Sequence, residues 1–270
     1  MHLFGISDAS LRLAVMLGVL ATLLLVEALW PRRARSFPRH LRWRTHLALA
    51  VLGAGVVRVM AALSLPLVAV AAAEWARVQQ FGLFNVIDAP LWLEALIAIL
   101  LLDLAIWAQH LATHHLPLLW RLHRVHHADR DIDTSSALRF HPLEIAASML
   151  FKTTLVLTLG IAPVAVLIFE ILLNGMALFN HANLRLPIGL DRRLRPFVVT
   201  PDMHRVHHSV IVAEQQSNFG SGLSLWDHLF GTYTAQPASG HDAMTLGLDH
   251  HQTAAPTRLA WSLKLPLEPV

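Results

Sequence analysis

The sequence predicts an all-α protein, an integral membrane helical bundle that carries a cytoplasm-facing, histidine-rich helical cap. Of its 270 residues, 55% are hydrophobic and 14% are charged, whereas ordinary soluble domains carry about 25% charged residues. The apolar residues gather in runs of the length that a helix needs to cross a bilayer. No period-two strand pattern is present, and a backbone in lipid must satisfy its own hydrogen bonds, so the spans are predicted to be helices.

Three spans are predicted in the first part of the chain, and they cover residues 11–30, 45–73 and 90–109. The second is interrupted by Arg58 and Pro66, and a polar link over residues 74–89 follows it. After the first span comes the arginine-rich segment 31–44 in place of a small-residue cleavage site. That basic flank is typical of an uncleaved membrane anchor rather than a signal peptide.

A longer apolar stretch, residues 145–179, is broken in its middle by the sequence LGIAP. Glycine and proline at this position favour a tight helical hairpin with two short arms over one long tilted helix. With three single crossings and one hairpin, the arginine blocks near residues 32–44, 121–139 and 192–205 fall on one side of the membrane. The positive-inside rule makes that side cytoplasmic, and the crossings indicate a multi-pass membrane protein.

We expect three regions along the chain. Residues 1–90 form the N-terminal transmembrane helices with their basic loop, and residues 91–236 form a catalytic domain. Residues 237–270 are polar and proline-rich, and we expect a loop or tail there. The basic residues are not interleaved with aromatic residues in a nucleic-acid-binding stripe, so no nucleic-acid partner is expected. The oligomeric state is not predicted.

Histidines are concentrated in repeated phrases within this apolar chain. His110 and His114 are spaced i, i+4, and the phrase H-x-x-H-H occurs twice with spacing i, i+3, i+4. These spacings place side chains on one face of a helix. The phrases contain His123, His126 and His127, and then His204, His207 and His208, and the isolated His181 ends the long apolar stretch. Seven further histidines are interpreted as ordinary polar residues: His2, His40, His46, His228, His241, His250 and His251.

Nine imidazoles brought together without a metal would be costly in desolvation or in mutual repulsion. They exceed the ligand number of one ion, so two metal ions are the economical interpretation. Asp103 lies two turns before His110 on the same stripe, and we expect it to accept a hydrogen bond from a ligand imidazole. Spacing alone does not choose between a di-iron oxygenase and a di-zinc hydrolase.

The blocks from DLAIWAQHLATHH through LHRVHHAD, RFHPLE, FNHANL, TPDMHRVHHS and SNFGSGLSLWDHLFGTY resemble the fatty acid hydroxylase and sterol desaturase superfamily, most closely its bacterial sterol-desaturase-like members. The resemblance covers residues 100–233 and keeps the order and spacing of every block. It departs from the family at Trp107, where tyrosine is common, at Leu111, where arginine is common, and at HHAD in place of HHS. None of these departures removes a candidate ligand.

The resemblance implies a histidine-ligated di-iron centre in the membrane that uses dioxygen. The implied ligands are His110, His114, His123, His126, His127, His181, His204, His207 and His208. Further positions that match the family are Asp103, Arg139, His141, Asn183 and Trp226, to which we assign supporting roles around the ligands, with His141 as a possible extra ligand. No catalytic residue separate from the ligands is implied.

The implied reaction is hydroxylation or desaturation of a lipid, fatty acyl or sterol-like, and ether-lipid cleavage is a further variant. Two external electrons are required for each turnover. Because the chain has no cysteine and no G-x-G-x-x-G motif, we expect a separate electron-donor protein. The arginine-rich face is a candidate docking surface for an acidic donor, although the positive-inside rule alone accounts for it and is the preferred explanation.

Two other functional classes stay open. A membrane di-zinc hydrolase of lipids would act without oxygen or a reductant, and it would want a carboxylate base among its ligands. A metal-handling membrane protein would need an open polar path through the spans. Arg58 is the one strongly polar residue deep in the second span, which argues against such a path.

Overall fold

The computed structural model describes residues 2–3, 6–63, 68–87 and 89–269. Within these residues the regular elements are helices, apart from a short antiparallel ladder of β1 (His2–Leu3) with β2 (Ile6–Ser7). The helices are α1 (Asp8–Leu29), α2 (Arg39–Leu63), α3 (Ala69–Val78), α4 (Leu91–His115), α5 (Pro117–His127), α6 (Pro142–Leu159), α7 (Pro163–Asn180), α8 (Ile188–Leu194), α9 (Pro201–His207), α10 (Val212–Gln215), α11 (Leu225–Leu229), α12 (Gly240–Ala243) and α13 (Leu259–Lys264). Short 3₁₀ helices occupy Leu83–Asn85, Thr134–Leu138, Asp249–His251, Ala255–Thr257 and Leu265–Leu267. The predicted all-α class is confirmed.

Five of the described helices are long and apolar enough to cross a membrane, namely α1, α2, α4, α6 and α7. Many of their large apolar side chains face outward, and Val51 on α2 is 71% exposed. Apolar side chains exposed along a helix of this length suit contact with lipid. The protein is therefore a multi-pass membrane protein, as predicted.

The second predicted span is wrong at both ends. Helix α2 begins at Arg39 and ends at Leu63, and residues 69–73 belong to the separate helix α3. The early start was missed because Arg42 is charged in sequence, yet its side chain is buried against partners. The predicted polar link is also partly helical, since α3 continues to Val78. Pro66, which was expected to interrupt the span, lies outside the described residues.

Helices α6 and α7 form the predicted hairpin. Gly160 ends α6 in the left-handed conformation, with φ of 66°, and Pro163 opens α7. A Cβ atom on Gly160 would lie 2.5 Å from the Asn85 side chain, so glycine is required there. The carboxylate of Glu94 on α4 accepts a hydrogen bond from the Ala162 backbone at 2.9 Å, which fixes the hairpin tip to the bundle.

Helix packing places the apolar core near this hairpin. Helix α2 packs on α6, α1 packs on α7, and α3 packs on both arms. The core cluster combines small residues of α3 with larger ones of α4 and α7, including Leu102, Val166 and Phe169. Small residues such as Ala72 and Ala73 let the helix backbones approach closely.

The opposite end of the bundle gathers the polar residues. Glu27 near the end of α1 accepts hydrogen bonds from Thr134 and from the Asn183 backbone. His46 near the start of α2 lies 2.9 Å from Ser135. Arg32 forms ion pairs with Asp202 and Asp242. These contacts place the three arginine blocks and the histidine phrases on one side of the bundle, as predicted, and its assignment to the cytoplasm stays a prediction.

The residues after 236 pack on the histidine-bearing helices, in contrast to the expected loop or tail. The Arg124 guanidinium on α5 donates to the carbonyl oxygens of Leu265, Glu268 and Pro269 at 2.5, 2.5 and 2.9 Å. Leu265 is buried in a cluster with residues of α2 and α5. The polar composition misled the prediction because the contacts use backbone carbonyls and a few scattered apolar side chains such as Leu265, which the overall composition does not show. The division of the chain at residues 90 and 236 stays a prediction.

Candidate metal centre

All nine predicted ligand histidines converge at the polar end of the bundle, in two adjoining groups. One group contains His110, His114, His123, His127 and His207. The other contains His126, His181, His204 and His208. Within each group, one ring nitrogen from every residue lies within 4.8 Å of all the others. Eight of the nine residues are buried, and His110 is partly buried.

The groups divide the two H-x-x-H-H phrases in the same way. His123 and His127 on α5 join one group, and His126 between them joins the other. In the second phrase, His204 and His208 belong to the same group, and His207 belongs to the other. Residues spaced i, i+4 project in nearly the same direction, whereas an adjacent residue is rotated by about a quarter turn. Each phrase thus contributes ligands to both groups.

Hydrogen bonds fix the tautomer of several rings. The Nδ1 atom lies 2.7 Å from the Phe219 carbonyl oxygen in His110, 2.6 Å from that of Ala177 in His181, and 2.8 Å from that of Ser217 in His207. A carbonyl oxygen only accepts, so each Nδ1 carries the proton and each Nε2 carries a lone pair. This is the arrangement that orients a metal-binding imidazole.

The Nε2 atoms point at one another. His181 Nε2 lies 3.0 Å from the Nε2 atoms of both His126 and His204, and His110 Nε2 lies 3.1 Å from that of His123. Two lone pairs at this distance repel unless a cation or a proton lies between them. Further buried ring nitrogens, including both of His114 and His127, have no hydrogen-bond partner within the described residues. The donor set therefore fits metal ions held by imidazole, and imidazole suits iron and zinc alike.

The environment keeps the rings neutral. Burial, followed by neighbouring imidazoles, lowers the pKa well below its ordinary value in His126, His127, His204 and His208. Burial also lowers the pKa of His181 to about 4 and that of His207 to about 3, although each ring's hydrogen bond to a carbonyl acts in the opposite direction. Neutral imidazole is the form that binds metals, so the site is prepared for cations at neutral pH.

Glu144 is a supporting residue that the sequence interpretation missed. Its Oε1 atom lies 2.5 Å from Nδ1 of His123, while its Oε2 atom is buried without a hydrogen-bond partner among the described residues. A carboxylate on the second ring nitrogen fixes the tautomer of a ligand histidine and raises its basicity. The block RFHPLE contains this residue, and its place in the first turn of α6, beside His141, was the available signal.

Asp103 does not contact a ligand imidazole, so that expectation was wrong. Its Oδ2 atom accepts from the Trp226 indole at 2.8 Å and from the Leu223 backbone at 3.3 Å. The nearby Asp227, also missed, accepts from the Trp107 indole at 3.0 Å and from the Phe219 backbone at 2.9 Å. Both carboxylates fasten the segment around residue 219, whose carbonyl binds the ring of His110. Their support of the site is indirect.

The remaining predicted supporting residues hold the backbone around the site. His141 accepts a hydrogen bond from the Leu143 backbone at 3.2 Å and caps α6, and it belongs to neither histidine group. Arg139 donates to the Val125 carbonyl at 2.8 Å and to the Ser262 hydroxyl at 2.9 Å. The Asn183 side chain exchanges two hydrogen bonds with the Arg33 backbone.

A buried ionic network supports the segment that follows α5. Arg42 donates to Asp129 at 2.9 and 2.6 Å and to Asp133 at 2.6 Å. Burial raises the pKa of Asp129, but the Arg42 guanidinium overcomes this and holds the pKa below its usual range. His46, interpreted from the sequence as an ordinary polar residue, lies 3.3 Å from Asp129. Arg42 is thus structural and is not part of an exposed docking surface.

Of the other histidines interpreted as ordinary, His40, His228 and His250 are exposed. His241 is buried near Asp202, and His251 packs on Trp261. None of these five, nor His46, belongs to either histidine group. The side chain of His2 lies outside the described part of the structure.

A cavity of about 460 Å³ reaches the histidines from within the bundle. Its lining at one end includes His110, His123, His126, His181 and His204. Apolar residues of four spanning helices line the walls, among them Leu49, Ile106, Ile145 and Leu173. An apolar cavity that ends at a few convergent polar groups is typical of a site for a small hydrophobic molecule.

Comparison with known proteins matches residues 95–232 to the fatty acid hydroxylase family. The chain belongs to the fatty acid hydroxylase family. The matched region contains both histidine groups and most of the helices that line the cavity. The family predicted from the sequence is thereby confirmed.

Three curated relatives illustrate the range of this family. The chain is 25% identical to the ornithine lipid hydroxylase OlsE of Rhizobium tropici, over 88% of this chain and 69% of the relative. It is 27% identical to the alkylglycerol monooxygenase of Homo sapiens, over 64% of this chain and 36% of the relative. It is 29% identical to the cholesterol 25-hydroxylase of Rattus norvegicus, over 54% of this chain and 48% of the relative. No solved structure matches the chain significantly.

These relatives are named hydroxylases and monooxygenases, which are oxidoreductases. The prediction of an oxidoreductase is confirmed by this family membership. The chain spans less than half the length of the alkylglycerol monooxygenase and of the cholesterol 25-hydroxylase.

Proposed function

We propose that the protein oxidises a C–H bond of a lipid, fatty acyl or sterol-like, with dioxygen and a pair of iron ions. The observation that carries this proposal is the meeting of two all-histidine groups with an apolar cavity inside a membrane bundle. The relatives support it, because ornithine lipid, alkylglycerol and cholesterol are all lipids. The chemical balance for hydroxylation is R–H + O₂ + 2 e⁻ + 2 H⁺ → R–OH + H₂O.

The five-histidine group and the four-histidine group would each hold one ion. Iron bound there would supply the redox chemistry that activates dioxygen. The chain's own residues keep the donor set neutral and oriented, through the carbonyl partners of His110, His181 and His207 and through Glu144 on His123. Because the residues that support the metal ligands are themselves fixed by packing, the site is preorganised before a substrate arrives.

The cavity walls position the substrate and exclude water. Ile106 and Ile145 line its walls, and His110 and His126 lie at its metal end. Apolar walls bind an aliphatic or sterol skeleton by burial and hold one C–H bond near the metal site. The residues that contact the carbons next to that bond decide between hydroxylation and desaturation. In a lipid with an ether oxygen at this place, hydroxylation of the adjacent carbon would lead to ether cleavage.

The electrons would come from a separate donor protein, because this sequence has no cysteine for an iron–sulfur cluster. We place the histidine end on the cytoplasmic side of a bacterial inner membrane, where positively charged loops are enriched. Arg44, Arg192 and Arg193 are exposed and remain available to an acidic donor. Arg42, Arg139 and Arg205 are buried, so they contribute nothing to such a surface.

Metal analysis tests this proposal. The protein is purified in detergent after expression with iron and zinc both available, beside a triple variant, His204→Ala, His207→Ala and His208→Ala. We expect about two irons per chain, lost in the variant, since these residues reach both histidine groups. Two zinc ions that persist under iron-replete, anaerobic purification would favour a lipid hydrolase. Absence of tightly held metal would favour a metal-handling protein.

A further inference from the structure

Three charged side chains meet inside the bundle, far from the histidines. The carboxylate of Glu170 on α7 forms ion pairs with Lys152 on α6, at 2.5 Å, and with Arg12 on α1. The Lys152 and Glu170 side chains are 11% and 5% exposed. All three residues line the cavity that ends at the histidines. Charged groups within spanning helices are costly, and they most often mark a functional pathway or binding site.

Stability alone is a weak reason for this arrangement. A buried ion pair often contributes no more to folding than a well-packed apolar pair, because the desolvation of both charges offsets their attraction. Lys152 carries three N–H donors, and Glu170 accepts from one of them. Among the described residues, the structure shows no acceptor for the other two donors. An ammonium group with spare donors on an apolar cavity wall suits an oxygen acceptor, and a carboxylate is the strongest such partner.

The distance from this cluster to the histidines follows from the two helices. Lys152 lies eight residues after Glu144, which binds His123, or about 12 Å along α6 at about 1.5 Å per residue. Glu170 lies eleven residues before His181, or about 16 Å along α7 by the same rise. An extended chain with carbon–carbon bonds of about 1.5 Å advances roughly 1.3 Å per carbon, so the gap corresponds to about nine to twelve bonds.

We infer that Lys152, oriented by Glu170, binds the carboxylate of an aliphatic lipid whose oxidised carbon lies at the histidine end of the cavity. This inference rests on the proposed function, since it assigns the histidine end to the oxidation. The substrate would then lie with its carboxylate deep in the membrane and the middle of its aliphatic chain at the metal site. It also predicts oxidation near carbons 10 to 13 of a saturated fatty acid.

Equilibrium binding of tritiated hexadecanoic acid to the metal-loaded protein in nanodiscs tests the site without turnover. Unlabelled hexadecanoic acid, 1-hexadecanol and hexadecane compete with the probe. We expect the acid to compete about tenfold or more better than the alkane, with the alcohol between them. Equal competition by acid and alkane in the wild-type protein would overturn the inference, and this comparison needs no variant to fold.

Three variants complete the test. Lys152→Met removes the cation while Arg12 still pairs with Glu170, and we expect a loss of about tenfold in acid affinity with unchanged competition by hexadecane. Lys152→Arg keeps the cation and should retain the wild-type preference. Thr154→Val on the exposed face of the same helix is the matched control. Unchanged acid binding by Lys152→Met would reduce the cluster to a structural contact.

The two proposals fail in different ways. If the lysine variants change acid binding as expected but no lipid is oxidised with a reductase system, the proposed function fails while the carboxylate site stands. If lipids are oxidised but Lys152→Met leaves both the binding and the oxidised position unchanged, the carboxylate site fails alone.

Discussion

Replacement of Arg42 by methionine is expected to destabilise the protein strongly. The side chain is 2% exposed, and its guanidinium donates to Asp129 and Asp133, which are themselves 3% and 0% exposed. Methionine fills a similar volume but leaves two buried carboxylates without their main partner. Removal of one member of a buried ion pair costs about 3–5 kcal/mol, because the remaining charge stays desolvated. We therefore expect a loss of that size in the free energy of unfolding.

The assay is thermal unfolding in detergent, followed by intrinsic tryptophan fluorescence. For a chain of this size, each kcal/mol shifts the melting temperature by about 2–4 °C, so the expected decrease is roughly 6–20 °C. Arg44→Met on the same helix is the matched control, because Arg44 is exposed and such surface changes usually stay within about 0.5 kcal/mol. A melting temperature of Arg42→Met within about 2 °C of the wild-type value would refute the reasoning.

Three further predictions concern the metal centre and the hairpin. Glu144→Ala should weaken metal affinity by about 10–100-fold, since it removes the carboxylate that is hydrogen-bonded to the ring of His123. Glu144→Gln keeps an acceptor and should lose less affinity. Chelator competition measures both variants, and equal losses would argue against a hydrogen-bonding role. His126→Ala and His127→Ala should each remove mainly one of the two ions, and the ion lost should differ because the two residues belong to different histidine groups. Identical metal contents and metal-centre spectra for the two variants would contradict the division of the histidines into two groups. Gly160→Ala should destabilise the protein by about 1–3 kcal/mol, because φ is positive and a Cβ would collide. Gly175→Ala on α7, where a Cβ meets nothing within 4 Å, should be neutral or stabilising by about 0.5–1 kcal/mol, and equal melting temperatures for the two glycine variants would contradict the argument.

The boundaries of the spans show where sequence reasoning is reliable and where it fails. The hairpin was predictable because Gly160 and Pro163 act locally, through backbone conformation alone. The start of α2 was not predictable, because Arg42 is charged in sequence and becomes buried only through partners about ninety residues away. The last segment was misjudged for the same reason, since its contacts with Arg124 use backbone carbonyls that every sequence possesses.

The supporting shell of the site was only partly predictable. Trp226 and Asp103 were expected near the ligands, but they bind each other rather than an imidazole. Glu144 was overlooked although it contacts His123. Helical spacing shows which residues share a face on one helix. It carries no information about which residue of a second helix lies opposite.

The sequence by itself determined that the chain crosses a membrane by helices and that its histidines recur in phrases at helical spacing. The resemblance of the surrounding blocks to the fatty acid hydroxylase family, rather than the spacing, indicated lipid oxidation. The helices and the histidine phrases depend on composition and on spacing within single helices. Only the tertiary structure decided that each H-x-x-H-H phrase is shared between two groups, and that an apolar cavity joins them to Lys152 and Glu170. Such relations depend on the angle and depth at which helices pack against one another, and residues distant in sequence set that packing.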